Sequence, residues 1–145
     1  MDKLLKMALS QFGVSEIAGS KHNEIIVNYF KEIGFEWVTD DEMAWCSAFL
    51  NWCCLQCELP RSNKLDARSW LKVGNEINIG DQEVGDLVIF WREKIDSWKG
   101  HIAIYISEDE NFVYCLGGNQ SNRVCIKPYY KKRVLGYRRF IDEPV

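Results

Sequence analysis

Cys46, His101 and Asn119 are the residue types that nucleophilic thiol chemistry requires: a thiol to attack, a base to take its proton and a polar group to orient the base. Cys46 stands near the expected start of a helix, where unpaired backbone N–H groups and the helix dipole favour a thiolate. Its pKa is therefore expected to be lowered. His101 follows Gly100 directly and opens an apolar run, Ile102-Ala103-Ile104-Tyr105-Ile106, that would hold an imidazole rigidly at the end of a strand. Asn119 falls just past the next strand-like run, where an amide oxygen could accept from the imidazole N–H and select its tautomer. Each residue alone has an ordinary structural reading. Free Cys is usually core packing, a lone His at a strand start is often structural, and Asn in Gly117-Gly118-Asn119-Gln120 is commonly a turn residue. Their order along the chain makes the trio a candidate.

The elements that must position these residues follow from periodicity. Leu4, Leu5, Ala8 and Phe12 recur at helical spacing up to Gly13, and Ile25, Ile26, Tyr29 and Phe30 form a second apolar stripe ending near Gly34. Thr39 and Glu42 read as a capping box ahead of a long apolar helix from Met43 to about Leu59, with Pro60 behind it. A short helical piece spans about Asp66 to Val73. From Gly85 the pattern turns strand-like over Asp86–Trp91, His101–Ser107, Phe112–Leu116, Val124–Lys127 and Val134–Phe140, with short connections that favour antiparallel neighbours. Helices first and strands second predict an α+β fold, N-terminal helices packed on a C-terminal antiparallel sheet, as one domain over residues 1–145.

Composition narrows the classes. With 27% charged and 13% aromatic residues, the chain is an ordinary globular protein rather than a disordered one. No apolar run approaches the roughly 18 residues of a membrane span, and Lys, Asp and Gln interrupt the N-terminal apolar residues. Synthesis in the cytoplasm without a signal peptide is expected, and no membrane association. Four of the six Cys (Cys46, Cys53, Cys54, Cys57) lie close together and match no secreted disulfide scaffold, so reduced thiols are expected. A zinc or redox site using Cys54 and Cys57 is an alternative, but it lacks a second close pair of ligands; buried packing suits the five cysteines other than Cys46. Arg123, Lys127, Lys131, Lys132, Arg133, Arg138 and Arg139 place +7 in one acid-free stretch of a chain whose net charge is -3. An anionic polymer could bind there, although a solvated strand face is the plainer reading, and no nucleic-acid motif accompanies it.

Longer motifs carry a resemblance. Trp45-Cys46-Ser47-Ala48-Phe49 with Asn51-Trp52, Ala67-Arg68-Ser69-Trp70-Leu71, Gly85-Asp86-Leu87-Val88-Ile89-Phe90, Gly100-His101-Ile102-Ala103 and Leu116-Gly117-Gly118-Asn119-Gln120-Ser121-Asn122 appear in that order. Phe12-Gly13-Val14-Ser15-Glu16 with Gly19-Ser20, and Val134-Leu135-Gly136-Tyr137-Arg138, extend the likeness over nearly the whole chain. The sequence resembles a small bacterial and phage group related to NlpC-type and CHAP cysteine amidohydrolases. The resemblance implies a papain-like domain that cleaves amide bonds in peptidoglycan or muropeptides, without a metal or organic cofactor. It makes Cys46 the nucleophile, His101 the general base and then acid, and Asn119 the first choice for the orienting residue, with Gln120 second. CHAP domains often carry Glu shortly before that Asn; here Gly117 and Gly118 stand there. Trp45, Arg68 and Gln120 are candidate substrate contacts, though Trp45 and Trp70 at helical spacing also suit a core. Asp40, Asp41 and Glu42 are expected to favour the helix dipole. Open alternatives are a thiol hydrolase acting on proteins or isopeptides and a non-catalytic module binding wall polymers. A wall hydrolase without a leader would need a lysis pore, injection or cell breakage to reach its substrate, and an immunity or delivery partner is not readable from the residues.

Overall fold

The computed structural model describes residues 2–17, 22–38 and 44–140. Helices α1 (Lys3–Ser10), α2 (Glu24–Glu32) and α3 (Cys46–Gln56) come first, followed by a 3-10 turn at Ala67–Lys72. Six strands follow: β1 (Asn75–Ile77), β2 (Leu87–Trp91), β3 (Gly100–Glu108), β4 (Phe112–Gln120), β5 (Arg123–Tyr130) and β6 (Val134–Arg139), with a second 3-10 turn at Lys131–Arg133 before β6. They form one antiparallel sheet in the order β1-β6-β2-β3-β4-β5. This is the α+β arrangement expected from periodicity. The three-residue β1 is too short for alternation to reveal it.

Asp2 caps α1 by accepting from the Leu4 and Leu5 N–H groups, and Asn23 caps α2 by accepting from Ile25. The expected capping box of α3, Thr39 and Glu42, lies outside the described residues, as do Gly19-Ser20 and Asp40-Asp41. Trp45 occupies the N-cap position of α3, and its side chain makes no capping hydrogen bond to that first turn. Eight residues around α3 are buried, as suits a helix that packs on α1 and α2 and also on β3 and β4.

A buried polar network locks α3 in place. Ser47 Oγ donates to the Lys64 carbonyl at 2.6 Å and accepts from Trp70 Nε1 at 2.9 Å. Asn51 Nδ2 donates to the carbonyls of Ser47 and Lys64, while Asn51 Oδ1 accepts from the Asn63 N–H at 2.9 Å. The loop after α3 and the first 3-10 turn are thereby tied to the helix that carries Cys46.

Alternation along β3 divides the interior in two. Ile102 and Ile104 face the helical layer with Phe49, Leu50 and Trp70. Ala103 and Tyr105 join Val88, Phe90, Val113, Cys115 and Tyr137 in a second buried cluster. That second face is buried because the sheet coils on itself. Tyr129 of β5 stacks on Phe90 of β2 with centroids 4.8 Å apart, although β3 and β4 lie between those strands in the sheet.

All six cysteines are free thiols. Cys53, Cys54 and Cys115 are fully buried, Cys57 reaches the Lys3 carbonyl, and half-buried Cys125 reaches the Gln120 carbonyl. The basic stretch is not a uniform solvated face. Arg139 forks onto buried Asp86, Lys131 pairs with Glu108, Arg138 donates to the Leu71 carbonyl, and Arg133 lies over Trp91. Among the described residues no helix is long and apolar enough to cross a membrane.

Candidate active site

Cys46 is the first residue of α3 and is only 8% exposed. Its thiol lies near the backbone N–H groups of Ile102, Ser47 and Cys46 itself, all of which favour the thiolate. Burial nevertheless dominates and raises the thiol pKa, with those N–H groups and the Arg92 charge opposing it. This corrects the expectation of a lowered pKa. A helix start stabilises a thiolate by a modest amount, whereas removing the thiolate from water costs more.

His101, second residue of β3, is also buried. Its Nε2 lies 2.9 Å from Gln120 Oε1. The Gln120 amide cannot flip without loss, because its Nε2 donates to the carbonyls of Cys115 at 3.0 Å and Cys125 at 2.6 Å. The oxygen must therefore face the imidazole, and it can only accept. A proton is held on His101 Nε2, leaving the Nδ1 lone pair free; among the described residues Nδ1 has no hydrogen-bond partner. Burial drives the imidazole pKa down to about 4, against the Gln120 hydrogen bond, with Arg92 and Lys127 adding to the decrease. The imidazole is neutral at neutral pH.

Asn119 does not occupy the position expected of it; Gln120 does. The β4–β5 register slips between Gly117 and Gln120, with Gly117 opposite Cys125 and Gln120 opposite Arg123. Two residues thus oppose Val124, and Asn119 takes a left-handed φ of 57° that Asn tolerates better than most residues. Without the bulge, alternation from Val113 and Cys115 would carry Asn119 onto the inner face; the extra residue gives that place to Gln120. Gln120, expected also to touch substrate, is fully buried instead.

The two glycines before it make this possible. A Cβ on Gly117 would lie 2.6 Å from Gln120 Oε1, and one on Gly118 would lie 2.8 Å from both Phe49 Cβ and the Trp45 ring. Trp45 is therefore a buried strut between α3 and β4, with its Nε1 donating to Glu16 at 2.9 Å, which fits the core alternative rather than a substrate contact. Arg68 is likewise occupied. It donates to the carbonyls of Lys99, Ile95 and Lys94, holding the β2–β3 loop that leads to His101.

Tyr129 was not apparent from the sequence. Its ring stacks on His101 at 4.9 Å between centroids, and its hydroxyl lies 3.0 Å from Nε2. Phe90 opposes His101 across the β2–β3 ladder and stacks on both His101 and Tyr129. Phe90 could have been found from cross-strand pairing, whereas Tyr129 arrives only through the coiling of the sheet.

Helices packed against a coiled antiparallel sheet, with a helix-start thiol beside the Ile102 backbone N–H that follows His101 in its strand, define a papain-like α+β protein. The NlpC/P60 family model matches residues 33–139. Solved structures with the same fold include the P60 domain of an antigen from M. avium paratuberculosis, 19% identical with a TM-score of 0.55, where the match covers 97% of this chain and 92% of that one. An NlpC/P60 family protein from Bacillus cereus ATCC 10987 is 19% identical with a TM-score of 0.57, and the match covers 97% of this chain and 40% of that one. A protein similar to a lipoprotein, of the NLP/P60 family, from Staphylococcus aureus subsp. aureus Mu50 is 20% identical with a TM-score of 0.53, covering 97% and 41%. This chain thus spans less than half of the last two. No match is found among curated proteins. The chain belongs to the NlpC/P60 family, whose members are in general cysteine peptidases.

Proposed function

We propose that this protein hydrolyses amide bonds in the stem peptides of bacterial peptidoglycan, through a thioester on Cys46. Family membership supports a peptidoglycan-related cysteine peptidase or amidase. The observation that carries the mechanism is the Gln120–His101 hydrogen bond, which leaves Nδ1 as the basic nitrogen.

The resting pair is neutral, because burial raises the thiol and lowers the imidazole. As Cys46 Sγ attacks the amide carbonyl carbon, its proton passes to His101 Nδ1. The carbonyl oxygen becomes an oxyanion, which backbone N–H groups at the start of α3 are suited to hold. Collapse breaks the C–N bond, and Nδ1 returns the proton to the departing amine. Water then attacks the thioester with His101 again as base, releasing a carboxylic acid and restoring the thiol. Gln120 is the orienting residue in this scheme, and Tyr129 restrains the ring by stacking.

Digestion of purified peptidoglycan by wild type and Cys46→Ala, with mass spectrometry of the fragments, tests the reading. New amine and acid termini are expected with the wild type alone. Identical fragments from both would overturn it, and the position of the new termini distinguishes amidase from endopeptidase action.

A further inference from the structure

Beside His101 lies a cavity of about 170 Å³ whose wall includes Tyr129 and Trp91 and carries three cations, Arg92, Lys127 and Arg133, with no Asp or Glu among the described residues. The cations come from different parts of the chain: Arg92 follows β2, Lys127 sits in β5 and Arg133 ends the second 3-10 turn. Their convergence is a product of the coiled sheet rather than of one basic strand face. Neighbouring acids are engaged elsewhere, Glu93 with Lys99 and Glu108 with Lys131, and none of the three cations has an ion-pair partner among the described residues. Arg133 is held with its guanidinium 4.9 Å from the centre of the Trp91 ring, and its Nε is buried without a hydrogen-bond partner. Three like charges around a small cavity repel one another, and an anion relieves that repulsion.

We propose that this cavity is a carboxylate-binding subsite for the portion of the substrate that departs with the amine. The proposal rests on the amide-hydrolase reading for the side of the substrate it assigns. His101 hands its proton to the leaving amine, so that portion lies on the imidazole side, and the cavity is walled by His101 and not by Cys46. The volume is several times the roughly 30 Å³ share of one water, enough for a carboxylate with a few carbons and too small for a polymer strand. Guanidinium groups suit a carboxylate particularly well, since their N–H donors match its two oxygens. The carboxylate could be attached to the carbon bearing the amine or lie further along the leaving group.

Titration of the full chain with alanine, γ-aminobutyrate and alaninamide, followed by the NMR signals of the His101 ring and the Trp91 indole, tests the subsite without requiring turnover. Saturable shifts are expected with at least one of the two acids, and binding of alaninamide at least tenfold weaker. Whichever acid binds more tightly locates the carboxylate relative to the amine. Lys127→Met and Arg133→Met are each expected to weaken acid binding tenfold or more, and the pair guards against one variant failing to fold. On stem-peptide substrates, kcat/KM is expected to fall tenfold or more when the leaving group's carboxylate is amidated. Equal binding of acids and amide, or no saturable shift with any of them, would overturn the subsite. If cell walls remain intact while the acids still bind through Lys127 and Arg133, the subsite stands and the hydrolase reading fails. If walls are digested but the acids do not bind, the reverse holds.

Discussion

Asn51 and Gln120 are both fully buried side-chain amides, and both use the N–H₂ group on backbone carbonyls. They differ in what the amide oxygen meets. Asn51 Oδ1 accepts from a backbone N–H, which closes its network and leaves only a tether between α3 and the following loop. Gln120 Oε1 instead meets an imidazole nitrogen, and the network ends on a second nitrogen that has no partner among the described residues. The ring is thereby held through one nitrogen, and the other stays available to a neighbouring proton donor. The same amide chemistry closes a tether in one core and, in the proposed mechanism, sets a tautomer in the other.

The sharpest way to break the contrast is to remove the two terminal groups. His101→Ala is expected to lower kcat/KM by about 10²–10⁴-fold at matched folded fraction, a far larger effect than its cost to stability, as for loss of a general base. Asn51→Ala should do the opposite, costing roughly 3 kcal/mol of stability by urea unfolding, since several buried partners lose their hydrogen bonds at once. If Asn51→Ala proved neutral in stability, the closed network would not be the tether described.

Smaller effects sharpen the same distinction within two adjacent residues. Gly117→Ala pushes on the Gln120 oxygen that meets His101, so activity should fall more than stability. Gly118→Ala drives a methyl into Trp45 and Phe49 in the helix-facing core, and stability should fall by about 1–3 kcal/mol, the usual cost of overpacking. Rates at matched folded fraction, alongside denaturation midpoints, separate the two.

His101 also ties stability to pH. Its folded pKa of about 4 lies below the ordinary 6.5, so the unfolded chain takes up the proton first as pH falls. The stability held through the neutral ring is fully present above about pH 6.5 and is lost progressively down to about pH 4, amounting to roughly 3 kcal/mol. Because catalysis needs the neutral ring, the acid limb of kcat/KM is expected near pH 4 and not near 6.5. Comparing wild type with His101→Gln between pH 7 and pH 4 checks the stability part: the difference in unfolding free energy should shift over that range, and a constant difference would contradict it.

Much of this organisation was legible in the sequence, for identifiable reasons. Strands with one face on each of two buried clusters are rich in Val, Ile, Phe and Tyr, and five of the six were readable with ends displaced by a few residues. Cys46 and His101 stand out in the sequence because each falls at the start of an expected element, and the structure places them first in α3 and second in β3. The partner of His101 was displaced by one residue, since the bulge at Gly118 and Asn119 breaks the alternation that pattern reading depends on. Tyr129 and the convergence of Arg92, Lys127 and Arg133 depend on how far the sheet coils, which no local pattern encodes. The thiol pKa is not legible in the sequence, which shows the helix start but not the depth at which the thiol is buried.

The central claim, that a buried glutamine selects the tautomer of His101 and frees Nδ1 for the thiol, is open to direct measurement. Nitrogen-15 NMR of the imidazole in the unliganded protein at pH 6–7 should show a protonated Nε2 and an unprotonated Nδ1, with that pattern weakened in Gln120→Ala. A proton on Nδ1, or a charged ring at that pH, would contradict the account.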